Sequence, residues 1–274
     1  MSRRPRGAGN TRGMRGGGRG GGGIVVGPPA LEAPELVPGL MAWYDSRTPA
    51  WITGTTTVSG WVSRAGLLGA IPWSQGSATN QPTYALAVPE LGGKNALLLD
   101  GVNDWLVTSN QNAWTFLHNG TGASVFRVYR MDSTGGSVQA VLAGQNNPVH
   151  IGITNTFSTT NAILQVANGV SPLANSWSFA AAAHVARDVS RWQMWGYGAG
   201  LQHSRVSGSS LSNPDAVAPS AAPPSHVLRL GSSPTGTSPF KGHIAQEIYY
   251  DHVLAAGETS QLAAWAAAEY GVAA

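Results

Sequence analysis

Hydrolysis of a glycoside needs two carboxyl groups set about 5–10 Å apart across the scissile bond. The nearest thing to such a pair here is Glu247 with Asp251, four positions later. A run of acids alternating along one strand, which would bring two carboxyls to one face, is missing. These two therefore read as a solvent-facing acid and a turn carboxylate. Asp100 and Asp104 flank a glycine and could hold calcium together with backbone carbonyls. Too few further oxygen ligands stand nearby, and hydrogen bonding inside the turn is the plainer role. The seven histidines are scattered and form no His-Glu-x-x-His pattern. Gly92-Gly93-Lys94 is a fragment of a phosphate loop, and no Gly-x-Ser-x-Gly elbow occurs. With zero cysteines, thiolate zinc sites, thiol nucleophiles and disulfides are excluded. The sequence offers no catalytic set and calls for no cofactor.

Two other residue types could bind rather than react. Of the ten tryptophans, Trp43, Trp177, Trp192, Trp195 and Trp265 stand among apolar neighbours and belong to a core. Trp51, Trp61, Trp73 and Trp114 lie in polar, loop-like sequence. An exposed indole stacks on a pyranose ring, so these four are the candidate sugar platforms; plugging the ends of a sandwich is their other role. The second type is arginine. Arg3, Arg4, Arg6, Arg12, Arg15 and Arg19 fall within residues 1–23, which hold ten glycines and no acid. Such an arm buries too little to fold alone. It suits either an assembly arm ordered by a partner protein or a polycation on nucleic acid.

The elements that would position these residues are short. Charged residues make up only 11% of 274, yet the longest uncharged stretch, residues 133–186, is broken throughout by polar residues, so no ~20-residue membrane span exists. The net charge of +3 is a sum of opposites: residues 24–274 hold ten basic and thirteen acidic groups, so the body is mildly acidic. That excludes a basic nucleic-acid-binding domain. Residues 24–39, with four prolines, read as a stiff connector, and the folded domain begins at Leu40. From there, apolar runs of four to eight residues alternate with turn signals, predicting an all-β sandwich. The predicted strands include Phe179–Val185, Val227–Leu230 and Ile244–Tyr250, while Ser207–Ser225 reads as a long loop. On the last strand, Ile244, Ile248 and Tyr250 share one face; Ala245, Glu247 and Tyr249 share the other. A single helix is predicted over Gly257–Tyr270, closed by Gly271 and lacking a capping side chain at Ala255.

Three ordered segments carry a resemblance. Pro38-Gly-Leu-Met-Ala-Trp43-Tyr44-Asp45-Ser46 opens the domain. Asn95-Ala-Leu-Leu-Leu-Asp100-Gly101-Val-Asn103-Asp104-Trp105-Leu106 forms its hairpin. Phe240 to Asp251 leads through Val253-Leu254 into Glu269-Tyr270-Gly271. Together they resemble the laminin-G-like, concanavalin A-like jelly-roll family found in phage virion proteins and bacterial surface proteins. The resemblance implies a two-sheet jelly roll over residues 40–274 with one C-terminal helix, and it fixes no single function.

The cysteine-free chain shows no signal peptide. The leading expectation is therefore a phage virion protein made in the host cytoplasm: a capsid decoration or head-fibre protein on the virion surface, anchored to a capsid protein by its arm. The alternative is a carbohydrate-binding module recognising host glycans, as in a tail fibre or adhesin. No membrane insertion is expected, and self-association stays open. Co-purification with particles separates the two readings.

Overall fold

Short apolar runs between glycine- and serine-rich turns can bury themselves only by pairing, and the chain does this in two antiparallel sheets. The structure is a computed structural model that describes residues 32–69, 71–136, 138–144, 151–168, 176–198, 201–207, 209–213 and 220–274. The strands are β1 (Leu40–Asp45), β2 (Ile52–Thr53), β3 (Gly60–Trp61), β4 (Trp73–Ser74), β5 (Thr83–Val88), β6 (Lys94–Asp100), β7 (Leu106–Thr108) and β8 (Ala123–Met131). They continue as β9 (Val138–Ala143), β10 (Ile151–Ser158), β11 (Ala162–Asn168), β12 (Ser176–Phe179), β13 (Ser190–Gly198), β14 (Leu201–Val206), β15 (Ser209–Asn213), β16 (Arg229–Leu230) and β17 (Lys241–Tyr250). Helical segments are α1 (Ala33–Leu36), α2 (Ala182–Val185) and α3 (Ala256–Tyr270).

One sheet runs β15-β14-β13-β8-β17-β6-β5, with β1 also paired to β17. The other runs β12-β11-β10-β9-β16-β7-β4-β3-β2. The fold is thus the all-β sandwich with one C-terminal helix that the sequence predicts. The first sheet is buried on both faces. Tyr44, Leu97, Val125, Tyr129 and Tyr249 pack towards the second sheet. Trp43, Phe126, Met194, Ile248 and Tyr250 pack instead with Leu262, Ala266 and Tyr270 of α3. Each fully buried aliphatic side chain contributes roughly 1.5–3 kcal/mol, so the helix is a third layer rather than an appendage.

Several expectations are corrected. On β17 the register with β8 shifts between Ile244 and Gln246. This bulge moves Ile244 to the face of Glu247 and Tyr249, leaving Ala245, Ile248 and Tyr250 on the helix side. The run Phe179–Val185 is not one strand: β12 ends at Phe179 and a helical turn follows, where alanines favour helix. Arg191 Nη1 donates to Ala183 O at 2.5 Å and secures that turn. The loop Ser207–Ser225 contains β15, whose backbone completes the ladder with β14. The connector placed at 24–39 is, from Glu32 onward, part of the body, with Val37 buried in the helix-side core. The helix begins at Ala256; Glu258 Oε2 accepts from Ala255 N–H at 2.7 Å, half of a capping box, and no side chain caps from Ala255.

Two glycines should respond oppositely to alanine. Gly242 on β17 has φ +141°, and a Cβ there would lie 2.1 Å from Arg130 O. Gly257, in the first turn of α3, has open space around it. Gly242→Ala is expected to lower the melting temperature sharply, and Gly257→Ala to stabilise by about 0.4–1 kcal/mol. Thermal denaturation of the two variants checks the pair.

Candidate functional site

The sequence-derived tryptophan platform does not form. Trp61, Trp73 and Trp114 have no exposed surface. They pack around Tyr44, whose ring centroid lies 5.6 Å from Trp61, 5.8 Å from Trp73 and 6.4 Å from Trp114. Tyr249 completes the group at 4.8 Å from Trp114. These rings fill the space between the sheets and offer no face to a sugar. Trp51 is half-buried against the same cluster and stands alone as an accessible ring of the four.

The carboxylates also find structural work. Glu247 is fully buried. Arg127 Nε donates to its Oε1 at 2.9 Å, and Tyr249 OH donates to Oε2 at 3.1 Å. Arg127 reaches on to Asn155 of the opposite sheet. Burial pushes the Glu247 carboxyl up from its ordinary range, opposed by the Arg127 charge and these hydrogen bonds. The expectation of a solvent-facing acid fails because the second sheet covers the face that Glu247 shares with Tyr249. With Glu247 sealed and Asp251 half-buried beside His252, the two do not face one cleft. Asp100 Oδ1 accepts from the N–H groups of Val102 and Asn103 at 2.8 and 3.2 Å, while Asp104 Oδ2 accepts from Asp100 N–H at 3.0 Å. Burial raises Asp104 to about 6. One oxygen of each carboxylate is used inside the turn, and no group of metal-ligating side chains forms among the described residues. The six arm arginines lie outside the described residues.

A second charged cluster joins the first and third of the segments that carry the family resemblance. Asp45 is fully buried. Arg47 Nη2 sits 2.7 Å from its Oδ2, Arg64 Nη1 3.0 Å from the same atom, and Gln246 Nε2 donates to Oδ1 at 2.7 Å. Both arginines also hold Glu32, at 2.6 and 2.7 Å, and Arg47 reaches Glu269 of α3 at 3.0 Å. The Arg64 guanidinium lies 4.2 Å from the centroid of the Trp43 ring. Burial opposes ionisation of Asp45 and Glu32, yet the arginine hydrogen bonds outweigh it and hold both carboxyls below their usual range.

A groove of about 540 Å³ lies open between α3 and the β13–β14–β15 edge of the first sheet. On the helix it is lined by Ala256, Thr259, Ser260 and Ala263, one face at three-to-four spacing. On the sheet it is lined by Trp192, Arg205 and Ser210, among others. Arg205 stands opposite both Met194 of β13 and Ser210 of β15 in the ladders, which puts it on the helix-facing side. Arg205 Nη1 donates to Thr259 Oγ1 at 2.9 Å. Trp192 stacks on Phe126 with centroids 5.5 Å apart and donates from Nε1 to Ala273 O at 2.9 Å. The groove therefore joins methyl groups, hydroxyls, an indole edge and one guanidinium. Sequence reading missed it because its residues come from four separate elements. The visible signal was the small, polar face of α3 at Thr259 and Ser260.

No family model and no curated protein matches the sequence. Solved structures do match the fold, which is a jelly-roll-like β-sandwich. The binding domain of Botulinum neurotoxin serotype D superposes with a TM-score of 0.59 at 9% identity, over 82% of this chain and 50% of that one. The same domain in complex with N-acetylneuraminic acid gives 0.57 at 10% identity, again over 82% and 50%. Trypanosoma rangeli sialidase with the inhibitor DANA gives 0.53 at 12% identity, over 82% of this chain and 33% of that one. The chain thus spans half or less of each of these proteins.

Two tests follow. Glu247→Gln leaves Arg127 buried without its carboxylate and should cost about 3–5 kcal/mol, whereas Arg127→Met combined with Glu247→Met should recover most of it; chemical denaturation reads both. The second concerns acid. Because the folded Glu32 and Asp45 titrate below their ordinary values, their stabilisation is complete above those values and is lost as pH falls through the folded ones. Protection of the α1 amides, corrected for intrinsic exchange, should fall as pH drops below about 4, before the sheet core responds.

Proposed function

We propose that this protein is a carbohydrate-binding β-sandwich and that the groove beside α3 holds the glycan. The observation that carries the reading is the make-up of that groove. A saccharide presents apolar C–H patches between hydroxyls. The groove answers with the methyls of Ala256 and Ala263 and the edge of the Trp192 indole, set among Ser210, Ser260, Thr259 and Arg205. Its volume falls within the ordinary range for small-ligand sites, about 300–1,000 Å³. The fold likeness supports the reading, since one neighbour is a ligand-binding domain in complex with N-acetylneuraminic acid. The alternative raised from sequence is thereby favoured over particle attachment, whose argument rests on residues 1–23.

Ser260 is exposed on the helix wall. Ser260→Trp should fill the groove without touching the core, abolishing binding on a glycan array while leaving the melting temperature unchanged. A wild-type protein that binds no arrayed glycan, or a Ser260→Trp variant that binds as well as wild type, overturns this assignment.

A further inference from the structure

One charged group in the groove lacks a counter-charge. Among the described residues, Arg205 has no carboxylate within ion-pair distance; its recorded side-chain partner is the neutral Thr259 hydroxyl. This sets it apart from Arg47, Arg64, Arg127 and Arg130, each of which pairs with at least one acid. The acid on α3 nearest in sequence is Glu258, and it is engaged elsewhere: its Oε2 accepts from Ala255 N–H at 2.7 Å and lies 3.3 Å from His252 Nε2. The Thr259 hydroxyl is itself fixed, donating to Ala255 O at 3.0 Å. Thr259 therefore steers one arm of the guanidinium and leaves the other nitrogens to the groove.

We propose that the groove takes a saccharide bearing an oxyanion, a carboxylate or a sulfate ester, and that Arg205 pairs with it. This rests on the carbohydrate-binding reading and narrows its ligand class. A planar guanidinium offers two parallel N–H donors to such a group, which a lysine does not. Ser210 stands across from Arg205 in the β14–β15 ladder and Ser260 lines the facing wall, so hydroxyl groups are available on both sides of the bound anion. His203 adds no second cation: burial first, and the Arg205 charge after it, hold its ring below the usual histidine range. The selectivity therefore resides in one side chain.

The test is an array carrying matched glycans with and without a terminal sialic acid, uronic acid or sulfate, followed by calorimetry on the best pair. The expected result is retention of acidic members and loss of signal when the acid is removed. Carboxylated and sulfated arms identify which oxyanion is preferred. Arg205→Gln should weaken acidic binding by on the order of tenfold or more and bring it close to that of the matched neutral glycan. Arg205→Lys should fall between, because it keeps the charge and loses the fork. Both variants should melt with wild type, since Arg205 holds no ion pair in the body. Equal binding of neutral and acidic partners, or an Arg205→Gln variant that keeps the preference, overturns this inference and leaves carbohydrate binding standing. A blank array for the wild-type protein overturns both.

Discussion

A carboxylate with no exposed surface is tolerated only where cations and donors replace its water, and Asp45 imposes that condition on the whole first sheet. Arg47 comes from the chain just after β1, Arg64 from the chain after β3 and Gln246 from the middle of β17, while Glu32 and Glu269 balance the surplus positive charge. These residues belong to the opening, the last strand and the closing helix. Their convergence ties the start of the folded body to its end across about 200 residues of sequence. Trp43 is part of the same arrangement, donating from Nε1 to Gln246 Oε1 at 2.5 Å beneath the Arg64 guanidinium.

Once β1 is held there, β17 becomes the strand on which both cores depend. It pairs with β8 along one edge and with β6 and β1 in succession along the other. By alternation it supplies Glu247 and Tyr249 to the space between the sheets and Ile248 and Tyr250 to the helix layer, and its bulge adds Ile244 to the first of these faces. A strand of strict alternation would keep Ile244 with Ile248 and Tyr250. The groove inherits its walls from this arrangement, because α3 lies where Gln246 and Ile248 hold Tyr270 and Leu262.

The parts of this structure legible in sequence are those fixed by local rules. Alternation and turn residues identify the sandwich; Asp100-Gly101 marks the hairpin; Gly271 stops the helix in a left-handed conformation at φ +65°. The parts that escaped depend on distant neighbours. Trp61, Trp73 and Trp114 stand in polar surroundings along the chain, yet Tyr44 and Tyr249 close over them from the other sheet. Glu247 carries no local sign of burial, since that depends on the second sheet covering the face it shares with Tyr249. Arg205 lies between a serine and a valine in an unremarked strand, and only the packing of α3 against β14 gives it a setting. Residues 32–39 read as a connector from their prolines, although Glu32 and Val37 supply a charge and a side chain that the body requires.

The arginine grip on Glu32 also has a mechanical meaning. Glu32 contacts α3 through Trp265, whose Nε1 donates to Glu32 Oε2 at 3.3 Å. Trp265 lies about half a helical turn around the rod from the face formed by Ala256, Thr259, Ser260 and Ala263. Tension on the chain ahead of Glu32 is borne by Arg47 and Arg64 and passed directly into β1 and its ladder with β17. The groove sits on the opposite flank of the same helix, so a pull that shifts Glu32 reaches it only through α3, by way of Trp265 and of Glu269, which Arg47 holds at 3.0 Å.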